Sequence, residues 1–375
     1  MKQIKLIILL LLCINQTFAQ KKTLMFIGSY TDGKPNNGIY VYELNKKNGE
    51  IRLLSHGENL VNPSFLNVSP DGKYLYSCTE TKLPQHGNIS AFAINASNGS
   101  LKLINKQSAN GENPVYVSIH QSQKFVISAN YGEGNVTVLP INTDGSLNQF
   151  VQSFSFNGSS INKERQEKPH IHSGILSPNH DYLFLPDLGT DQIRVFQFDF
   201  NKNKPLIPRE ELTVKVSAGA GPRHLAFHPN KKFAYLIEEM AGNIVVYQYQ
   251  NGKLTELQRT MANQKKADIY SSADIHPSPD GKFLYVTNRV ENTIAIFKIK
   301  KNGQIELIGH ESTHGGTPRN FNIDPTGNFV IVANQSSDNI VVFSRNQQTG
   351  LLKKLSDNTK ILHPSCIQFK EYPTN

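Results

Sequence analysis

Residues 62–80 read NPSFLNVSPDGKYLYSCTE, and the same pattern returns five more times, starting at residues 113, 170, 221, 271 and 317. Every copy has an apolar run, a polar turn and a second run rich in aromatic and β-branched residues. Apolar runs separated by turn residues are typical of β-strands, so each copy predicts a β-hairpin.

The spacing of the copies predicts the architecture. The turn positions are 46 to 57 residues apart and fall at Pro70, Gln121, Pro178, Pro229, Pro279 and Pro325. A repeat of about 50 residues is typical of propellers and solenoids. Each unit also contains a third strand, such as Asn339–Phe343, and a fourth after an Asn-Gly-type turn, and four strands make one propeller blade. The sequence therefore predicts an all-β propeller.

The two ends of the chain are expected to share one blade. His363–Phe369 repeats the inner strand a seventh time, without the outer strands that follow it elsewhere. Matching strands occur near the start, at Thr23–Tyr30 and Gly38–Leu44. A shared blade closes the ring and leaves no long sheet edge exposed. We predict one seven-bladed β-propeller domain over residues 20–375, with a loop insertion at Phe156–Lys168.

Residues 1–19 predict a secretory signal peptide. Lys2 and Lys5 flank the start of an apolar stretch, Ile4–Cys13, and polar residues and Ala19 follow. The stretch is half the roughly 20 residues that a membrane span requires, so we expect cleavage near Ala19, export to the periplasm or medium, and no stable membrane insertion. A lipoprotein is less favoured, because Leu12 is larger than the residue that precedes a lipid-attachment cysteine such as Cys13.

Composition and charge exclude several classes of protein. The 375 residues are 38% apolar and 18% charged, which is too apolar for a disordered polymer and too polar for a membrane bundle. The formal net charge is +9, but the basic residues lie mainly in turns and never form a run of five. We therefore expect no nucleic-acid partner, whereas a small anionic substrate is compatible. Outside the leader only Cys78 and Cys366 remain, and whether they form a disulfide stays open.

Equivalent positions of the blades form rings around the propeller axis, and two rings carry charged residues. At the entry of the inner strand the ring is Ser64, Val115, His172, Arg223, Ala273, Arg319 and Ser365. Just past the second strand the ring is Glu80, Tyr131, Leu188, Glu239, Arg289 and Gln335. Both positions lie at the same end of an antiparallel hairpin, so we expect both rings to open onto one face of the channel.

This face gathers a candidate active site. We predict Glu239 and His172 as catalytic residues, because a carboxylate can act as general base and an imidazole can transfer a proton near neutral pH. Arg223 and Arg289 suit carboxylate or phosphate recognition by paired donors. Arg319 has the Pro-Arg context of Arg223 and is a third candidate for substrate binding, or else a surface charge.

Alternatives stay open for two of these residues. Glu239 can instead neutralise a neighbouring arginine in a structural salt bridge, and Glu238 beside it occupies a position that is polar in every blade, which indicates turn capping. His170 lies two residues from His172, and such a pair can begin a metal site. No carboxylate-rich ligand set accompanies the two histidines in the strand, so we predict no metal.

The strings GPRHLAFHPNKKFAYLIEEM, SSADIHPSPDGKFLYVTNR, TPRNFNIDPTG and GSYTDG, with the strand of His172, resemble the seven-bladed propeller lactonase family. This family contains the propeller-type 6-phosphogluconolactonases and the fungal 3-carboxymuconate lactonizing enzymes. The resemblance covers essentially the whole mature chain, and its specific motif is Pro-Arg-His followed sixteen residues later by Glu. The family's catalytic groups would fall on His172, Arg223, Arg289 and Glu239, and the resemblance implies a reaction without metal or cofactor.

We therefore expect a 6-phosphogluconolactonase-like hydrolase of carbohydrate metabolism that acts on a small anionic lactone or sugar-acid substrate. The predicted export puts a phosphorylated substrate in question, because sugar phosphates are normally kept inside the cell. One alternative is a muconate-type lactonizing cycloisomerase, in which the arginines hold two carboxylates. Another is a non-catalytic exported propeller that binds a protein or glycan partner. The oligomeric state stays open.

Overall fold

Seven antiparallel β-sheets make up the part of the chain that the structure describes. The structure is a computed structural model that describes residues 21–374, apart from the side chains of residues 357 and 358. The predicted signal peptide over residues 1–19 lies outside the described residues. No helix of the described part is long and apolar enough to cross a membrane.

The strands follow one another blade by blade. The first three blades contain β1 (Lys21–Ser29), β2 (Ile39–Leu44) and β3 (Ile51–Gly57); β4 (Phe65–Val68), β5 (Tyr74–Thr79), β6 (His86–Ile94) and β7 (Leu101–Glu112); and β8 (Pro114–Ile119), β9 (Phe125–Asn130), β10 (Asn135–Pro140) and β11 (Gln152–Ser155). The fourth blade contains β12 (Ile175–Leu176), β13 (Tyr182–Asp187), β14 (Gln192–Phe198), β15 (Leu206–Pro208), a short 3₁₀ helix (Glu210–Leu212) and β16 (Val214–Lys215).

The remaining blades have four strands each. They contain β17 (Pro222–Phe227), β18 (Phe233–Glu238), β19 (Asn243–Gln250) and β20 (Lys253–Met261); β21 (Ser272–Pro277), β22 (Phe283–Asn288), β23 (Thr293–Ile299) and β24 (Ile305–Ser312); and β25 (Pro318–Ile323), β26 (Phe329–Asn334), β27 (Asn339–Arg345) and β28 (Leu352–Lys360). The last strand, β29 (Pro364–Pro373), pairs with β1, so that the first sheet has the order β29-β1-β2-β3. The predicted seven-bladed all-β propeller, closed by a blade that the two ends share, is confirmed.

Apolar side chains between neighbouring blades hold the ring together. At the closure, Met25 and Ile27 of β1 belong to one buried cluster with Phe329 and Ile331 of β26. Burying one such side chain stabilises the fold by about 1.5–3 kcal/mol. The ring is therefore closed by packing against the seventh blade as well as by the β1–β29 ladder.

A repeated tyrosine contact adds to this packing. The Tyr76 hydroxyl donates to the carbonyl oxygen of Gly145 in the next blade at 2.9 Å, and Tyr285 donates to Gly350 at 2.7 Å. Gly145 has a φ of +82°, and a Cβ there would lie 2.3 Å from the ring of Tyr74. The aromatic residues of one blade thus require glycine in the turn of the next.

Most inner strands carry a β-bulge at their channel end. Pro222 pairs with Glu238 and His224 pairs with Ile237, so Arg223 has no partner in the ladder. The same bulge occurs in three other blades, where the residues without a partner in the ladder are Val115, Arg319 and Ser365. A bulge residue is unpaired and bends its strand, which redirects side chains. The bulges fall at the ring position that the sequence repeat singled out.

Cys78 of β5 and Cys366 of β29 are both buried, and neither forms a disulfide. Burial raises the pKa of the Cys366 thiol to about 12 and raises that of Cys78 as well. A thiol with a raised pKa carries little thiolate at neutral pH, so both residues act as small apolar side chains of the core.

Candidate active site

The bulge residues surround a small cavity on the propeller axis. It is lined by Tyr30, Ser64, Phe65, Val115, His172, Arg223, His224, Arg319, Asn320 and Ser365. Six of the seven positions of the first sequence ring are among these residues, and Ala273 is not. The ring position predicted from the sequence repeat therefore forms most of the wall of the cavity.

Arg223 is buried in this wall, with 1% of its surface exposed. Its Nε donates to Oε2 of Glu239 at 2.9 Å, and its Nη1 donates to the carbonyl oxygen of Ala273. Burial and the neighbouring cations Arg289 and Arg319 lower the pKa of Arg223 to about 9. The guanidinium is therefore fixed in one orientation and remains charged at neutral pH.

Glu239 follows β18 and is 3% exposed. Its Oε2 also forms an ion pair with Arg289 at 2.8 Å, and its Oε1 accepts from Arg165 at 2.7 Å. Burial alone would raise the pKa of Glu239, but Arg289, Arg223 and Arg165 outweigh it and hold this pKa well below its usual range. The carboxylate is consequently ionised and a weak proton acceptor, and its contacts are those of a neutralising salt bridge.

Arg165 is a member of this cluster that the sequence did not reveal. It lies in the loop between β11 and β12, and its Nη2 is 3.4 Å from the hydroxyl of Tyr131 as well as in contact with Glu239. The predicted insertion at Phe156–Lys168 was the available signal, because it is the longest departure from the repeat and carries several charges. Because this loop has no counterpart in the other blades, its residues could not be assigned to a ring by aligning the repeats.

His172 is 5% exposed and lies in the cavity wall with a ring nitrogen free of protein partners. Its Nδ1 is buried without a hydrogen bond, and its ring lies edge-on to Tyr131 at 5.4 Å and to His224 at 5.3 Å. Burial, together with the charge of Arg223 and its neighbours, lowers the pKa of His172 well below 6.5. The imidazole is therefore neutral at physiological pH and can accept a proton.

His170 does not join His172 in a common ligand set. Its Nδ1 is 2.9 Å from the carbonyl oxygen of Tyr131, its Nε2 is 3.1 Å from Glu167, and its ring stacks on Tyr131 at 4.4 Å. Within residues 21–374, no group of three or more His, Cys, Asp or Glu side chains is arranged to hold a metal ion. His170 positions Tyr131 beside His172.

A buried aspartate beneath the cavity is a second feature that sequence analysis missed. Asp274 Oδ1 is 2.7 Å from Nδ1 of His224, and Oδ2 is 3.0 Å from Nε2 of His276 and accepts from the amide of Asn320. Burial and Arg223 lower the pKa of His224 to about 4 despite this carboxylate. His224 is therefore neutral, with Nδ1–H directed to Asp274, and three adjacent blades are joined by one carboxylate.

Tyr30 completes the second ring. In the shared blade Ser29 pairs with Pro364, and in the fifth blade Glu238 pairs with Pro222 in the same way. Tyr30, which directly follows β1, therefore occupies the position that Glu239 occupies after β18. The Tyr30 hydroxyl accepts from Nη2 of Arg319 at 3.3 Å, and Nζ of Lys82 lies 4.1 Å from the centre of its ring.

Glu238, the neighbour of Glu239, contacts Arg259 and Asn243 instead. These partners lie on the outer strands of the same blade, as expected of a residue that stabilises its own turn and sheet. The structure thus brings together four of the predicted residues, His172, Arg223, Glu239 and Arg289, with Arg319 on the wall of the same cavity.

Comparisons with known proteins agree with this architecture. Residues 24–369 match the family described as lactonase, 7-bladed beta-propeller. A 6-phosphogluconolactonase of Formosa agariphila is 46% identical over 351 residues, covering 93% of this chain and 99% of the relative. A 6-phosphogluconolactonase of Bacillus subtilis is 33% identical over 352 residues, covering 93% and 98%.

Among solved structures, the periplasmic gluconolactonase of Pseudomonas aeruginosa superposes with a TM-score of 0.87 at 32% identity. The alignment covers 93% of this chain and 99% of that protein. Both the sequence and the blade arrangement are therefore shared over nearly the full length, which confirms the resemblance inferred from the motifs. The chain belongs to the seven-bladed β-propeller lactonase family.

Proposed function

We propose that this protein hydrolyses a sugar lactone, as its 6-phosphogluconolactonase relatives are named for doing, and that it acts in carbohydrate metabolism. The observation that carries the proposal is His172, a neutral imidazole with an unpartnered nitrogen in a cavity walled by guanidinium groups. Lactone opening requires a proton acceptor for water and positive charge for the developing oxyanion, and this cavity offers both.

In the proposed reaction, His172 accepts a proton from water as the water oxygen attacks the lactone carbonyl carbon. The N–H groups of Arg223 that do not bond Glu239, together with Arg289, stabilise the negative charge on the carbonyl oxygen. The intermediate then loses its bond between carbonyl carbon and ring oxygen, and the ring oxygen takes the proton from His172. The products are the open hydroxy acid and the neutral imidazole.

Glu239 has a positioning role in this proposal. The sequence left open whether Glu239 or His172 is the base. Nearby arginines lower the pKa of both groups, and the contacts favour His172 because three guanidiniums occupy both oxygens of Glu239, whereas Nδ1 of His172 has no protein partner. Glu239 instead holds Arg223 and Arg289 side by side and neutralises part of their charge. Without it, the two guanidiniums would repel each other in a buried site.

The test uses purified protein and a panel that contains gluconolactone, 6-phosphogluconolactone and 3-carboxymuconate, with acid release or lactone formation as the readout. We expect lactone opening by the wild type and a decrease in kcat of about 10²–10⁴-fold in His172→Gln, the range for loss of a general base. The exposed His86 provides the control, and His86→Gln should be fully active. Folded wild-type protein that opens no lactone, or a fully active His172→Gln, would refute the proposal. Closure of carboxymuconate without lactone opening would favour the cycloisomerase alternative.

We also propose that the protein is exported. The leader predicted over residues 1–19 supports this, and the similar gluconolactonase of Pseudomonas aeruginosa is described as periplasmic. Fractionation of cells that express the full chain, followed by N-terminal sequencing, tests the proposal. A mature protein outside the cytoplasm that starts near Gln20 is expected, and cytoplasmic protein that retains Met1 would overturn it.

A further inference from the structure

Three groups hold the guanidinium of Arg223, and one of them is a histidine that has no part in the proposed reaction. Nε of Arg223 donates to Glu239 at 2.9 Å, and Nη1 donates to the carbonyl oxygen of Ala273. The other contact of Nη1 is Nε2 of His224, at 3.4 Å. These contacts leave the N–H groups of Nη2 for a ligand in the cavity that Arg223 lines.

The contact between Arg223 and His224 depends on the β-bulge. Neighbouring residues of a regular strand point to opposite faces and cannot bond to each other through their side chains. The bulge at Arg223 places both side chains in the cavity wall, where His224 is only 6% exposed. The irregular strand thus brings an imidazole beside the guanidinium that faces the substrate.

Hydrogen-bond chemistry fixes the position of the proton on His224. A guanidinium can only donate, so Nε2 of His224 has to accept from Arg223. An ionised carboxylate can only accept, so Nδ1 has to donate to Asp274, whose Oδ1 is 2.7 Å away. Both contacts therefore require the same neutral tautomer, with its proton on Nδ1. A proton on Nε2 would turn an N–H toward the N–H of Arg223 and push the guanidinium away.

Asp274 is itself fixed in one orientation. It is 2% exposed, and its Oδ1 also accepts from the backbone N–H of Ile275 at 3.0 Å. Its Oδ2 lies 3.0 Å from Nε2 of His276 and accepts from the amide of Asn320. Burial alone would raise the pKa of Asp274, but His276 and His224 hold this pKa well below its usual range. The carboxylate is therefore ionised, and donors on both oxygens prevent it from turning away from His224.

We propose that Asp274 is a positioning residue for lactone opening, which selects the tautomer of His224 and thereby orients the Arg223 guanidinium toward the reacting carbonyl oxygen. This inference rests on the proposed function and deepens it. Neither Asp274 nor His224 exchanges a proton with the substrate. A donor that is already oriented stabilises an oxyanion without reorganisation, and a misplacement of about 1 Å can cost about 100-fold in rate.

Two replacements of His224 separate the roles of its two nitrogens. Asparagine carries its amide near the place of Nδ1 and keeps a donor for Asp274, whereas glutamine reaches the place of Nε2 and keeps an acceptor for Arg223. With gluconolactone and 6-phosphogluconolactone as substrates, we expect kcat to fall by up to about 100-fold in His224→Asn, with KM little changed, and to fall less in His224→Gln.

A purely structural role of the contact with Asp274 predicts the opposite order, because only His224→Asn keeps that contact. A larger loss of kcat in His224→Gln than in His224→Asn, or a fully active His224→Asn, would therefore overturn the proposal.

Asp274→Asn tests the other end of this chain of contacts. An amide donates as well as accepts, so it no longer selects the tautomer with the proton on Nδ1, and we expect the tautomer with the proton on Nε2 to gain population. Nitrogen-15 NMR of the imidazole nitrogens measures the change, with the signals of His224 identified by their loss in His224→Gln. A decrease in kcat should accompany it. Unchanged nitrogen signals in folded Asp274→Asn would overturn the proposal.

Asp324 supplies a matched control. It is a fully buried carboxylate in the turn that follows β25, at the end of that strand away from the channel, and it accepts from the backbone N–H of Phe329 at 2.8 Å. Asp324→Asn should lower stability without changing either the nitrogen signals of His224 or kcat.

The nitrogen signals also separate failure of this inference from failure of the lactonase proposal, because they do not depend on turnover. If the wild type opens no lactone but Asp274→Asn changes the tautomer of His224, the orientation of Arg223 by these two residues stands and the proposed reaction fails. If lactones are opened and His224→Asn is as active as the wild type, the positioning role alone is refuted.

Discussion

Arg165 places its guanidinium 2.7 Å from Oε1 of Glu239, although the two residues are 74 positions apart and belong to different blades. The Arg165 side chain is 44% exposed, whereas Glu239 is buried. One exposed side chain therefore joins a surface loop to a buried carboxylate of the candidate active site.

Replacing Arg165 should loosen that loop and disturb the site without unfolding the protein. We expect Arg165→Leu to lower kcat/KM for the lactone several-fold and to increase proteolytic cleavage within residues 156–168, while stability changes by less than about 1 kcal/mol, as for other partly exposed ion pairs. Digestion with a glutamyl endopeptidase, whose sites at Glu164 and Glu167 are the same in wild type and variants, measures the first effect, and steady-state kinetics measure the second. Lys163→Leu, in the same loop, is the control, and equal effects of both variants would contradict a specific role for Arg165.

Glu239→Gln should destabilise the protein strongly. Removing the carboxylate leaves the buried guanidiniums of Arg223 and Arg289 without their counter-charge, and breaking a buried ion pair from one side costs about 3–5 kcal/mol. Denaturant unfolding measures the change, with Glu256→Gln at a half-exposed position as the control. Full stability together with complete loss of lactone opening would instead return Glu239 to the role of general base.

The buried His224 should make stability depend on pH. Its pKa is lowered to about 4 in the folded protein by burial and Arg223, so below about pH 6.5 the unfolded state binds more protons. Because of His224, the free energy of unfolding is therefore expected to be about 2 kcal/mol lower at pH 5 than at pH 7. Urea unfolding at the two pH values tests this, and His224→Gln should show a smaller difference. An equal pH dependence in the variant would exclude His224 as the source.

The pH profile of activity should report His172. Because burial and nearby arginines hold the pKa of His172 well below 6.5, kcat/KM for lactone opening is expected to stay constant as the pH falls from about 7.5 to 6 and to decrease only at lower pH. Initial rates, corrected for spontaneous hydrolysis, measure the profile. An inflection at or above pH 6.5 would show an imidazole of ordinary basicity and would argue against His172 as the base.

The repeat made much of the site predictable. Equivalent positions of blades had to form rings, so His172, Arg223, Glu239 and Arg289 were selected without coordinates. Tyr30 belongs to the same ring but was overlooked, because its blade is divided between the two ends of the chain and the repeat has to be read across them.

His224 and Asp274 were missed for a different physical reason. In a regular strand, successive side chains point to opposite faces, so a residue beside Arg223 would be directed away from the cavity. The bulge at Arg223 breaks this alternation, and both Arg223 and His224 line the cavity. Sequence periodicity locates the strand but not the extra residue within it. Arg165 lies outside the repeat altogether, where only three-dimensional structure relates it to Glu239.

The bulges also bear on how such a protein can change during evolution. A bulge residue contributes no ladder hydrogen bond, so its side chain can be exchanged at little cost to the sheet that carries it. The bulge position holds a charged residue in two blades, Arg223 and Arg319, and a small uncharged residue in two others, Val115 and Ser365. New charged groups can thus be introduced into the cavity wall at those two positions by single substitutions, while the sheets that carry them stay intact.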